Sequence, residues 1–155
     1  MRNIDFKKLF FYIFITILIG ALPSVFVYGN MDVYNTLNKP AFSPPSILFP
    51  IAWTLLYILM GISIYRITQT DSNKKGEAKL IYFIQLVVNA LWTPIFFGLN
   101  EYFLAFLWII MLILLVITMI ISFFKIDKIS AYLNIPYLLW LLFAAYLNFG
   151  IFALN

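Results

Sequence analysis

Residues Tyr34 to Tyr57 read YNTLNKPAFSPPSILFPIAWTLLY, and the rest of the chain is organised around them. The stretch opens as a polar loop, passes Pro40, Pro44, Pro45 and Pro50, and becomes an apolar helix carrying Trp53 and Tyr57. Each proline fixes its own φ and pushes the preceding residue out of the helical region, so Lys39 to Pro45 is expected to be stiff and extended. Ser43 is the expected N-cap of the following helix, with Pro44 in its first turn, where a missing N–H costs nothing. A rigid loop feeding an aromatic helix reads as a lid joined to one wall of a pocket. The alternative is a proline-rich connector between two membrane helices.

The surroundings are apolar. The 155 residues are 65% hydrophobic and 10% charged, against about half and about a quarter in a soluble domain. One polytopic membrane domain, residues 1–155, accounts for that balance. Aromatic residues make up 20%, which suits membrane interfaces and binding pockets alike. Cysteine and histidine are absent, which excludes disulfides, thiolate or imidazole metal sites, and axial haem ligation by either residue. A porphyrin would have to be held by shape, stacking and hydrogen bonds, or by an unusual Tyr or Met ligand. The net charge of +4 does not indicate nucleic acid, because the basic residues sit at helix ends rather than in a patch.

Five spans are predicted, at about 9–28, 47–67, 80–99, 103–124 and 129–154, each able to cross roughly 30 Å of hydrocarbon. Pro23 should bend the first. Gly20 and Ser24 form a small-xxx-small pair that favours close helix packing. A Gly29–Asn30 turn signal ends that span. Arg2, Lys7, Lys8, Arg66, Lys74, Lys75, Lys79, Lys125 and Lys128 fall on the N-terminal side, and Lys39 alone on the other. That asymmetry predicts a cytoplasmic N-terminus, with the first loop and the C-terminus extracytoplasmic. An odd number of unlike spans argues against an inverted-repeat transporter.

No acid or base lies near the middle of a span, which argues against a proton pump or an ion-coupled transporter. Amides, hydroxyls and indoles enter instead. Gln85, Asn89 and Trp92 fall at i, i+4 and i+7, one helical face. Trp53 and Tyr57 share a face, as do Tyr137, Trp140 (or Leu141), Ala144 and Asn148. An unpartnered amide in hydrocarbon costs about 4–8 kcal/mol, so Gln85, Asn89 and Asn148 serve either as interhelical glue or as the floor of a polar pocket. Trp53 and Trp140 are either pocket walls or interface anchors. The fourth span, with Trp108, Thr118 and Ser122, is expected to support the bundle.

Three blocks carry a resemblance. YNTLNKPAFSPPSILFPIAWTLLYILMG (34–61) is similar to W-Y-x-x-L-x-K-P-x-W/F-x-P-P…P-V/I-W-x-x-L-Y. QLVVNALWTPIFFG (85–98) is similar to Q-L-x-x-N-x-x-W-S/T-P-x-F-F-G, and PYLLWLLFAAYLNFGIFALN (136–155) to P-Y-x-x-W-x-x-F-A-x-x-L-N. Together they resemble the translocator protein family, TspO, also called tryptophan-rich sensory proteins or peripheral benzodiazepine receptors. The resemblance implies an all-α bundle of five transmembrane helices, a pocket inside it, and a lid from the first loop. It implies porphyrin, haem and benzodiazepine-site ligands, with no required cofactor. Carried over by motif, the pocket would include Tyr34, Pro44, Pro45, Trp53, Tyr57, Gln85, Asn89, Trp92, Trp140, Ala144 and Asn148.

Three departures matter. Val33 and Phe42 stand where the family often has tryptophan, which removes two oxidisable indoles from the lid. The C-terminal LNFGIFA has Phe149 and Ala153 in place of the Tyr and Arg of the proposed cholesterol motif, so cholesterol is a poor fit. The expected function is a receptor in a bacterial cell membrane for tetrapyrroles and similar flat, largely apolar molecules. Two alternatives stay open. One is a light-dependent porphyrin-degrading enzyme, in which Trp53 and Trp140 would be catalytic. The other is a small transporter or an assembly subunit. Membrane lipid is an expected partner, nucleic acid is not, and a homodimer is left open.

Overall fold

In the computed structural model, residues 4–26 and 32–155 are described. They form seven α-helical segments and no strand: α1 (Phe6–Phe26), α2 (Val33–Thr36), α3 (Leu48–Thr68), α4 (Lys75–Thr93), α5 (Tyr102–Phe124), α6 (Lys128–Tyr132) and α7 (Ile135–Leu154). A π-helical turn, Pro94–Gly98, extends α4. Five stretches are long and apolar enough to cross a membrane: Phe6–Val25, Leu48–Thr68, Lys75–Gly98, Tyr102–Phe124 and Lys128–Leu154. The predicted end of the first span at Val27–Tyr28, the Gly29–Asn30 turn and Arg2 lie outside the described residues.

α1 packs along α3 and α4, while α5 packs on α4, α6 and α7. Two glycines set the α1–α3 spacing. A Cβ at Gly61 would lie 2.6 Å from the Ile13 Cα, and one at Gly20 would fall inside the Tyr57 ring. Gly20 is therefore a contact point, as the small-xxx-small pair predicts. Tyr82 donates to the Thr16 hydroxyl (2.6 Å), which itself donates to the Tyr12 carbonyl (2.7 Å). This ties α1 to α4 with both hydroxyls partnered. Trp108 donates to the Val88 carbonyl at 2.8 Å, so α5 supports the bundle as expected.

Two local expectations fail. α3 begins at Leu48 with Ile47 as its N-cap and no side-chain cap bond. Ser43 instead donates to the Pro40 carbonyl at 2.8 Å. Lys39–Pro45 is not uniformly extended, because it turns at Ala41–Phe42, where Phe42 has φ 63°. A hydroxyl that closes this turn is not free to cap a helix several residues on. The fifth span, Lys128–Leu154, is present as expected and is built from two helices, α6 and α7. Asp127 caps α6 by accepting from the Ser130 N–H at 3.3 Å, and Pro136 sits in the first turn of a new helix. Lacking an N–H, proline begins that helix more readily than it continues the preceding one.

At the end of the bundle bearing the α3 C-terminus, Arg66 grips Asp127 through Nε (2.7 Å) and Nη2 (3.1 Å). Ser63 donates to the Ser130 carbonyl (2.8 Å), and Asn134 Nδ2 donates to the Ser63 hydroxyl (2.7 Å). This polar knot holds α3 against α6. Burial pushes the Asp127 carboxyl up, but hydrogen bonds from Arg66 and Ser130 outweigh it and hold it below the usual carboxylate range.

Candidate functional site

Towards the other end, the helices part around a cavity of about 480 Å³. α3 and α7 face each other across it. Trp53 and Trp140 meet edge to face, with ring centroids 6.4 Å apart and planes at 83°. Tyr57 stacks on Trp53 at 5.4 Å. Its hydroxyl donates to the Gly20 carbonyl (3.1 Å) and accepts from Asn89 Nδ2 (3.3 Å). The ring can lie there because Gly20 has no side chain. On the third wall, Trp92 Nε1 donates to Asn148 Oδ1 (3.2 Å), and Asn148 Nδ2 donates to the Ala144 carbonyl (2.9 Å). Trp140 Nε1 is buried without a partner.

The first loop forms the roof. Tyr34, on α2, is 5% exposed and touches the cavity from above. It meets Phe49 edge to face at 5.1 Å, and Phe49 meets Trp140 at 6.0 Å. Its hydroxyl donates to the Pro44 carbonyl (3.2 Å), while Lys39 Nζ donates to the Tyr34 carbonyl (3.1 Å) and lies 4.7 Å from the ring centre. Burial pushes the Tyr34 phenol up. The loop is pinned to α7 by the Asn38 N–H on Asn155 Oδ1 (3.0 Å), Asn155 Nδ2 on the Asn38 carbonyl (2.9 Å) and Tyr146 on the Ala41 carbonyl (2.8 Å). Pro40 packs against Gly150, where any Cβ would collide with its ring.

Of the residues singled out in the sequence, Tyr34, Trp53, Tyr57, Asn89, Trp92, Trp140, Ala144 and Asn148 line the cavity. Gln85, Pro44 and Pro45 do not. Gln85 is fully buried one turn below Asn89, where its Oε1 accepts from Tyr137 at 3.0 Å. It serves the core beneath the cavity floor. Pro44 shapes the roof through its carbonyl, and Pro45 is exposed. Sequence reasoning missed Phe49, although its i−4 spacing from Trp53 places it on the same face. It also missed the pocket role of Gly20, which only the neighbouring Tyr57 reveals.

Among the described residues, none that lines the cavity is acidic or basic. The chamber offers aromatic faces, neutral amides and hydroxyls, which suit stacking and hydrogen bonding rather than acid–base chemistry. Fold and cavity together define a polytopic helical membrane protein with an internal chamber of small-molecule size. Residues 12–154 match the TspO/MBR family, and the chain belongs to that family. It is 38% identical over 138 residues to Protein CrtK of Rhodobacter capsulatus, covering 88% of this chain and 85% of the relative. It is 39% identical to the tryptophan-rich sensory protein of Cereibacter sphaeroides, covering 79% and 76%. It is 31% identical to the translocator protein of Sus scrofa, covering 88% and 83%. The chain is thus an integral membrane protein of a family of sensors and translocators.

Proposed function

We propose that the chain is a receptor that holds a porphyrin, a haem-type tetrapyrrole or a benzodiazepine-site ligand in the cavity between α3 and α7. The observation that carries this reading is the uncharged chamber of about 480 Å³ lined by the Trp53–Trp140 edge-to-face pair. Its volume falls within the roughly 300–1,000 Å³ usual for small-molecule sites. At about 0.3 kcal/mol per heavy atom, a ligand of roughly 30 atoms gains about 9 kcal/mol, a dissociation constant below roughly 1 μM. Asn89 and Asn148 are the polar side chains on offer.

A second reading is light-driven porphyrin breakdown, favoured by the two indoles in edge contact at the place where a ring would lie. The proposed setting is a bacterial cell membrane with the N-terminus cytoplasmic, supported by the nine basic residues grouped on one side against Lys39 on the other. Titration of the purified protein with protoporphyrin, first dark and then illuminated, tests both readings. Saturable dark quenching supports the receptor, and bleaching that needs the protein supports the enzyme. Absence of saturable quenching would remove both.

A further inference from the structure

The cavity wall is not equally covered on all sides. Where α4, α5 and α7 form it, the described lining residues are buried, as at Asn89, Ile109, Leu141 and Asn148, or half-buried, as at Trp92 and Trp140. The exposed lining residues are Ala21 and Val25 of α1, together with Ser46, Pro50 and Thr54 at the start of α3. Deeper in the bundle the α1–α3 seam is shut by the Gly61–Ile13 and Gly20–Tyr57 contacts. The roof above is fastened to α7 at Asn38, Pro40 and Ala41. Among the described residues the mouth therefore lies at the side, between the end of α1 and the start of α3.

The rim of this mouth is built for hydrocarbon. None of its described residues is charged, and Leu22 and Ile51 beside it are 50% and 60% exposed. Two of its hydroxyls are satisfied within their own helices: Ser24 donates to the Ala21 carbonyl (2.5 Å) and Thr54 to the Pro50 carbonyl (2.8 Å). Thr54 stands six residues into α3, about 9 Å from its start. That is less than the roughly 15 Å thickness of one hydrocarbon leaflet. The mouth thus opens into a single leaflet, close to the headgroups.

We infer that the cavity is loaded sideways from the bilayer through the α1–α3 gap, with the loop a fixed roof rather than the gate. The ligand class is then an amphiphile dissolved in the membrane, its apolar body in one leaflet and its polar groups at the interface. This rests on the receptor reading and adds the route and the phase from which the ligand comes.

The test uses the full chain in phosphatidylcholine vesicles. Ala21→Phe with Thr54→Phe plugs the mouth without touching Trp53 or Trp140. The association rate constant for vesicle-dissolved protoporphyrin should fall about tenfold, about 1.4 kcal/mol of added barrier, and release should slow with it, which a mere loss of affinity would not produce. Asn38→Cys with Asn155→Cys locks the roof to α7 by a disulfide, and oxidised and reduced forms should load at the wild-type rate. Slow loading in the locked form with normal loading in the plugged form would overturn the inference. A second arm needs no porphyrin. With Trp92→Phe, Trp108→Phe and Trp140→Phe, dibrominated phosphatidylcholine should quench Trp53, and plugging the mouth should weaken that quenching. Quenching indifferent to the plug would overturn the side mouth even if protoporphyrin never binds, whereas absent protoporphyrin binding alone refutes only the choice of ligand.

Discussion

Replacing Gly20 with alanine probes the contact on which the cavity wall depends. The new Cβ would overlap the Tyr57 ring, with Cε1 at 2.5 Å and the hydroxyl oxygen at 2.7 Å. Neither helix yields easily, because the Gly61–Ile13 contact fixes the same seam. The ring must therefore swing towards the cavity, away from its hydrogen bonds to Gly20 and Asn89. Overpacking costs about 1–3 kcal/mol, and two weakened hydrogen bonds add about 0.5–1.5 kcal/mol each. For a chain of this size the sum lowers the melting temperature by about 6–18 °C. Protoporphyrin affinity should fall as well, because the displaced phenol occupies ligand space. Gly76→Ala is the control: nothing lies within 4 Å of it, and it sits in the first turns of α4. That change should be neutral or stabilising by about 0.5–1 kcal/mol. In the Tyr57→Ala background, Gly20→Ala should cost far less than in wild type. Equal melting of the Gly20 and Gly76 variants, or strict additivity with Tyr57→Ala, would refute the reasoning.

Trp53→Phe and Trp140→Phe should each weaken dark porphyrin binding by about 0.5–1.5 kcal/mol, the scale of an aromatic pair. Any light-driven bleaching should nearly vanish, and bleaching that survives the double variant would eliminate the enzyme reading. For Asp127 the native carboxyl titrates below its unfolded value of 3.8, so its contribution is complete above that pH and is lost as pH falls through the native value. Acid melting curves should show this loss, and Asp127→Asn should be less stable near neutrality and flatter in acid. Single-cysteine labelling of intact cells should modify Asn38→Cys and spare Asn73→Cys. The reverse pattern would invert the proposed orientation.

Much of this was legible because a membrane simplifies the code. Uninterrupted apolar runs delimit the spans, and the few amides within them mark faces that must avoid lipid. The i, i+4, i+7 series at Gln85, Asn89 and Trp92 found the right face of α4 but not the depth of the cavity floor. Gln85 continues the same face one turn below it, into Tyr137. The start of α4 at Lys75 also escaped, because the polar residues 75–79 look like connector although they wind into helix. The Ser43 cap failed where two local uses of one hydroxyl competed, and the turn at Phe42 won. The break before α7 was signalled by Pro136, yet the apolar composition around it hid the boundary. The side mouth has no sequence signature, since Ala21 and Thr54 differ from other lipid-facing residues only through what stands behind them.

The central claim is that the ligand sits inside the bundle, in the cavity that Trp53 and Trp140 line together. Ala144 lines that space and has only a small side chain, so Ala144→Phe fills it directly. Dark tryptophan quenching by protoporphyrin should saturate in the wild type, and the Ala144→Phe dissociation constant should be at least about tenfold higher, a loss of about 1.4 kcal/mol. The variant should retain wild-type melting behaviour within a few degrees. Unchanged affinity in a well-folded Ala144→Phe protein would place the ligand elsewhere and contradict the account.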